Sequence, residues 1–375
     1  MDIVKHTNFT INDKDSYRII NNLYKKQDIN TNLYITELTK IIDTFTVSCD
    51  LYTYENKWKK CSDNCFSLVS TYINKEITST IYILKAIADS IITVENNLKH
   101  KPLISFGIKN GTTLTGLWKD DIDKIKITNI RGNSNNIRRL IMGFGPSASG
   151  KTYWAKNIIE LFSKANKTFP KTFISIDGGL YRESSTIYKL TRDAIHKCFS
   201  GFSNLVSTSL FQYSLFNSTL IKKVITNFLE QQDLDINISL YVPETLGDCG
   251  NILGSCESKY KKYIDITNDK QWIGLLIWQH KTKKECNYHD MYKCSGCTES
   301  GTQREEKEGK KYSSARWKAS MKNGIAECEK APGGYFHIHN SGDKKRITVI
   351  EDFSSGPSQV SYKNIEKYNV IFIRK

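Results

Sequence analysis

Arg-Arg-Leu-Ile-Met-Gly-Phe-Gly-Pro-Ser-Ala-Ser-Gly-Lys-Thr-Tyr-Trp-Ala-Lys, residues 138–156, is the stretch that decides the fold class of this chain. Within it, Gly145 to Thr152 match the pattern G-x-x-x-x-G-K-[ST] without a mismatch. Gly145 and Gly150 lack a Cβ, so the backbone can turn tightly there. The N–H groups of the loop, which also contains Ser147 and Ser149, can then converge on one anion. Lys151 sets a point charge against the β- and γ-phosphates of a nucleotide, and the Thr152 hydroxyl is placed to ligate Mg²⁺. A helix beginning here would add its positive N-terminal end to the same anion. The flanks fit. Leu140–Phe144 is a compact apolar run of the kind a buried parallel strand needs, and Trp154, Ile158, Leu161 and Phe162 recur at helical spacing. Strand, loop and helix in this order predict a nucleoside-triphosphate site with ATP and Mg²⁺ as its ligands.

Downstream, strands and helices alternate, which predicts a parallel sheet with covering helices, an α/β fold of the P-loop NTPase type. Strands are expected at Lys171–Ile176, Ile236–Val242, Trp272–Trp278, Tyr335–Ile338 and Arg346–Ile350, and amphipathic helices at Glu183–Phe199 and Ser218–Leu229. Upstream the texture differs. Ile77, Ile81, Leu84, Ala88, Ile91 and Ile92 form one helical stripe, which reads as core. Leu103–Ile108 and Thr112–Trp118 flank Asn110-Gly111, a hairpin signal, and Asp123–Ile130 alternates like a further strand. Residues 1–135 are therefore expected to form a mixed helical and β N-terminal extension of unassigned role. The unit carrying the phosphate loop would span 136–375, with a lid or insertion at about 280–325.

The formal charge of +15 suits nucleic acid, acidic lipid or nucleotides alike. Its lysines are spread along the chain and no nucleic-acid-binding signature accompanies them, so a solvated basic surface is favoured over a nucleic-acid partner. The longest charge-free stretch, Cys198–Ile221, is interrupted throughout by Ser, Thr, Asn and Gln, which argues against a membrane span. The N-terminus has no apolar signal core, so a cytoplasmic location is expected. Ten cysteines are then expected as thiols or metal ligands. Cys61 and Cys65, with no histidine nearby, read as structural. Cys286, His289, Cys294 and Cys297 are spaced C-x₂-H-x₄-C-x₂-C, a set that tetrahedral Zn²⁺ accepts; the competing reading is a lid insertion with incidental thiols.

Ligands of open α/β sheets gather at the carboxyl ends of the strands. Two carboxylates fall at such ends. Asp177 is placed to accept a proton from a substrate hydroxyl or to support Mg²⁺, and Glu244, with Thr245, to hold a substrate hydroxyl or amide. Each could instead be a helix N-cap or loop carboxylate. Arg182 is a candidate for gripping an anionic substrate. In the charged stretch Gln303–Lys322, the cations Arg304, Lys310, Lys311 and Arg316 alternate with glutamates on a helix or lid that could supply a cation to a transferring phosphoryl group; the competing reading is a solvated charged helix.

Gly-Pro-Ser-Ala-Ser-Gly-Lys-Thr (145–152), Ile-Asp-Gly-Gly-x-x-Arg (176–182), Pro-Glu-Thr (243–245) and His-Asn-Ser-Gly (339–342) together resemble the zeta-toxin group of P-loop kinases, over roughly residues 138–353. The resemblance implies ATP-dependent phosphorylation of a small-molecule hydroxyl, with UDP-N-acetylglucosamine the acceptor of bacterial members. It also implies Lys151 on phosphate, Asp177 as base and Glu244 on the substrate. The long N-terminal extension, the Cys/His insertion and the Asp-Gly-Gly sequence depart from that group. A nucleoside or polynucleotide 5′-hydroxyl kinase, or an ATP-gated binding protein without enzymatic activity, are the other readings. Neither the acceptor nor an antitoxin-like inhibitor is named by the sequence.

Overall fold

The computed structural model describes residues 77, 80–94, 105–108, 113–115, 138–185, 188, 218–233, 239–246, 255–279, 314–340, 347–354 and 369–375. Helix α1 (Thr80–Asp89) leads into strand β1 (Ile91–Thr93), and β2 (Ser105–Ile108) and β3 (Thr113–Thr115) follow. Next come β4 (Leu140–Phe144), α2 (Lys151–Ala165), β5 (Thr172–Ser175), α3 (Gly178–Ser184), α4 (Ser218–Gln231) and the short β6 (Gln232–Asp233). The chain continues through β7 (Leu240–Glu244), α5 (Ser255–Thr267), β8 (Ile273–Gln279), α6 (Ser314–Cys328), β9 (Tyr335–Asn340), β10 (Ile347–Asp352) and β11 (Asn369–Arg374).

The main sheet has eight strands in the order β1-β5-β7-β4-β8-β9-β10-β11. Pairings β5–β7, β7–β4, β4–β8 and β8–β9 are parallel, as is β10–β11; β1–β5 and β9–β10 are antiparallel. This is an α/β fold built on a mostly parallel sheet with flanking helices. Strand β4 is central and buried at all five residues, as its uninterrupted apolar run requires. Helix α2 covers one face. Trp154, Ile158, Ile159 and Phe162 pack there with Ile141, Tyr241, Leu275, Ile277 and Ile338, and each such side chain contributes about 1.5–3 kcal/mol by leaving water. Helix α6 lies against β4 and β8, with Gly324 seated where an added Cβ would come within 3.1 Å of Leu276 and 3.2 Å of Phe144.

Three expectations change. First, β1 pairs with β5 in the main sheet, through Ile91↔Ile174, Ile92↔Phe173 and Thr93↔Thr172. The α/β unit therefore takes in α1 and β1, upstream of the boundary expected at 135/136. The helical stripe read through Ile91 and Ile92 breaks at Ser90, and the buried face of α1 includes Tyr82, Ile83, Ala86 and Ile87. Second, a short helix that Asp177 caps, α3, occupies Gly178–Ser184, ahead of the helix expected at Glu183–Phe199, most of which lies outside the described residues. Third, the lid expected at about 280–325 is shortened at its C-terminal end. Residues 314–325 belong to α6, whose later turns bury Ser320, Met321, Glu327 and Cys328. The hairpin is present in its strands, pairing Phe106 with Leu114, and β6 adds to β2 as a third strand. The strand expected at 123–130 and the cysteines at 61 and 65 lie outside the described residues.

Candidate functional site: the loop 145–152 and the adjoining strand ends

Strand β4 ends at Phe144, and the chain turns at once into the loop that opens α2. Gly145 has φ +136° and Gly150, the N-cap of α2, φ +88°, both conformations that a side chain disfavours. At Gly145 space forbids a side chain as well, because a Cβ would run into the carbonyl oxygen of Ile277 on β8. Ala148 sits at φ +65°, a rare conformation for a residue with a Cβ. The ammonium of Lys151 folds back over the loop, donating to the carbonyl oxygens of Gly145 at 2.9 Å and Pro146 at 2.7 Å. Asn340, the last residue of β9, donates from Nδ2 to the Ser149 carbonyl at 3.1 Å. The Ser149 hydroxyl is buried and has no hydrogen-bond partner among the described residues. Thr152 is exposed at the start of α2, and Ser147 is half-buried on the loop.

Asp177 and Glu244 lie at or just past the carboxyl ends of β5 and β7, on the side of the sheet where the loop leaves β4. Glu244 is in register with Phe144, so it adjoins the loop strand directly. Asp177 is one strand farther out, because β7 lies between β5 and β4. The Asp177 Oδ1 accepts from the Gly179 N–H at 2.8 Å, so the carboxylate does serve as the N-cap of α3. It remains only half-buried. Two contacts from the upstream segment hold α3 in place. The Tyr82 hydroxyl donates to the Tyr181 carbonyl at 2.5 Å, and the Ser184 hydroxyl to Asp89 at 2.8 Å. Arg182, on the same helix, is buried with 7% exposure, so it is not a surface-ready anion clamp. Thr245 is exposed beside Glu244. The turn there ends at Leu246, at φ +49°, whose carbonyl accepts from Asn323 on α6 at 2.6 Å.

Sequence reasoning missed several members. Lys222 on α4 pairs with Glu244, Nζ to Oε1, at 2.9 Å. Burial alone would push the Lys222 ammonium down in pKa, but Glu244, with Tyr263 and Asp177 behind it, holds it well above its ordinary range. Tyr241, on β7, projects into the core where Gly143 leaves room, since a Cβ there would stand 2.5 Å from its hydroxyl. Burial, and then Asp177, push its phenol up, with the neighbouring Thr152 side chain working the other way, and its hydroxyl has no hydrogen-bond partner among the described residues. Tyr263 on α5 is raised to about 12, mainly by burial, against the pull of Lys222. The only cue for Lys222 in the sequence was a lysine on an amphipathic helix, which ordinarily faces water.

Arg304 and the cluster Cys286, His289, Cys294 and Cys297 lie outside the described residues. Arg316 lies in the first turn of α6. Among the described residues, no helix is long and apolar enough to cross a membrane. In comparisons with known proteins, the chain matches no family model, no curated protein and no solved structure.

Proposed function

We propose that this chain is an ATP-dependent phosphotransferase of the P-loop kinase type, phosphorylating a hydroxyl of a small molecule. The observation that carries the reading is the loop itself. Its sequence, two left-handed glycines and a lysine laid over its carbonyls stand between a central parallel strand and a helix N-terminus, the arrangement that binds polyphosphate. The ammonium of Lys151 would exchange its two carbonyl partners for the β- and γ-phosphates, and Thr152 would ligate Mg²⁺. Asp177 would take the proton from the acceptor hydroxyl. Glu244 and Thr245 would hold the acceptor, with Lys222 fixing the orientation of the Glu244 carboxylate. Arg304 is proposed as a lid cation, and Arg316 as a cation acting from the first turn of α6.

Acceptor identity rests on the resemblance to the zeta-toxin group alone, which suggests a nucleotide sugar such as UDP-N-acetylglucosamine. The test combines γ-labelled ATP, Mg²⁺ and a metabolite extract, followed by identification of the labelled product. Wild type should label one hydroxyl-bearing metabolite, and Lys151→Ala should label none while melting like the parent, because its side chain is only half-buried. Equal turnover in mutant and wild type would remove the kinase reading. A labelled 5′-hydroxyl on a nucleoside or polynucleotide would keep the chemistry and replace the acceptor. ATP binding without acceptor-dependent ADP release would make the chain an ATP-gated binding protein.

A further inference from the structure

His337 and His339 lie two residues apart on β9, so both side chains project from the same face of the sheet. That face is the one opposite α2, because Phe336 and Ile338 between and beside them belong to the α2 core. Glu351 on β10 stands directly across from His337 in the antiparallel register. A single carboxylate oxygen, Oε2, lies 3.3 Å from Nδ1 of His337 and 3.4 Å from Nε2 of His339. The imidazole rings are 4.0 Å apart, and all three ligand-type atoms fall within 4.8 Å of one another. Lys375, at the end of β11, holds the other oxygen, Oε1, at 3.3 Å.

We propose that His337, His339 and Glu351 form a binding site for a first-row divalent transition metal, with Zn²⁺ as its best-suited ion. The distances fit. Two ligands about 2.1 Å from a metal at tetrahedral angles stand roughly 3.4 Å apart, the separation already present between Oε2 and each imidazole nitrogen. Two imidazoles and one carboxylate suit zinc and its neighbours and do not suit Mg²⁺, which takes oxygen ligands. This site is therefore chemically distinct from the nucleotide's metal and stands independently of the kinase reading. The backbone register presets the ligands, so little ordering remains to oppose binding. Lys375 orients the carboxylate through the oxygen that the metal would not use, as outer-shell partners of metal ligands do. Three protein ligands leave the fourth position open to water or to an incoming donor. One residue beyond His339 on the same strand, Asn340 holds the Ser149 carbonyl, so metal at this site would brace the strand that supports the loop.

The experiment uses the full chain carrying Cys286→Ser, Cys294→Ser and Cys297→Ser, so that the insertion cannot compete for metal. After chelator treatment and desalting, it is titrated with Zn²⁺ by calorimetry and with Co²⁺ by absorption. The expected result is one equivalent bound and a cobalt spectrum with d–d bands but no thiolate charge transfer. His339→Ala and Glu351→Gln should each weaken binding at least about a hundredfold, and Lys375→Ala about tenfold. His339 is partly exposed (22% for its side chain), so its variant should fold, with circular dichroism as the check. If a variant fails to fold, the cobalt spectrum of the unsubstituted triad decides alone. Absence of saturable binding, or affinity unchanged by His339→Ala and Glu351→Gln, would overturn the site and leave Glu351 as the hub of an ion-pair cluster.

Discussion

Breaking the Lys222–Glu244 pair gives the sharpest test of how the strand-end chemistry is held. At 2.9 Å and an effective dielectric constant of about 20, the gross attraction is about 6 kcal/mol. Taking each ion partly out of water offsets several kcal/mol of this. The side chains keep 17% and 23% of their exposure, so solvent still screens some of the rest. A net coupling of about 1–3 kcal/mol remains. Lys222→Met should strand the Glu244 carboxylate, and Glu244→Gln the Lys222 ammonium, each destabilising the fold by about 2–3 kcal/mol. The double variant should be less destabilised than the two single variants added together. The sign with pH follows from the raised pKa of Lys222. Its contribution is fully present below the ordinary lysine value of 10.5 and disappears only as pH rises through the higher folded value. Urea unfolding at neutral pH, followed by far-ultraviolet circular dichroism, therefore measures the intact pair. A cycle coupling energy below about 0.5 kcal/mol would refute the pairing as a working interaction.

Two further substitutions separate roles that the structure superimposes. Asp177→Asn keeps an oxygen that can accept from the Gly179 N–H, and Asn caps helices as well as Asp, so the melting temperature should barely move. Turnover should nevertheless fall by about 10²–10⁴ if the carboxylate accepts the hydroxyl proton; unchanged turnover would leave Asp177 a cap and nothing more. Gly145→Ala forces a side chain onto a residue at φ +136° and against the Ile277 carbonyl. Backbone strain of about 1–3 kcal/mol and overpacking of similar size should lower stability by roughly 2–5 kcal/mol. An unchanged urea midpoint would show that the loop does not take this path.

What the sequence disclosed follows how far each signal reaches along the chain. Strand β4, the loop and α2 are contiguous, and apolar run, glycine spacing and helical period each act over a few residues. Strand β1 was hidden because Ile91 and Ile92 extend a helical stripe in register, and its partner β5 is about eighty residues downstream. Helix α3 was hidden by Gly178 and Gly179, which read as loop although Asp177 caps them into a first turn. Lys222 and Tyr241 became site residues only through the sheet. Strand β7 brings Glu244 beside β4 and under α4, while Tyr241 turns its hydroxyl toward Thr152. Neither a lysine on an amphipathic helix nor a tyrosine in an apolar strand announces this. The His337–Glu351 pairing is of the same kind, since the antiparallel register that joins them has no trace in composition.

Helix α6 limits how Arg316 could act. Gly324 sits so close to the sheet that an added Cβ would meet Phe144 at 3.2 Å and the Gly145 nitrogen at 3.7 Å, so the helix touches the base of the loop. Asn323 beside it holds the Leu246 carbonyl, just past Glu244. One helix thus braces both the loop strand and the turn after Glu244. Arg316 lies eight residues before Gly324, about 12 Å along the axis at 1.5 Å per residue. If Arg316 serves the transferring phosphate, it does so from a helix whose later turns are packed on the sheet, or the first turns of α6 must unwind while Asn323 and Gly324 stay in place. Arg304 lies outside the described residues, so this constraint bears on Arg316 alone. The role proposed for Arg316 is therefore preorganised electrostatic stabilisation rather than closure over a bound nucleotide.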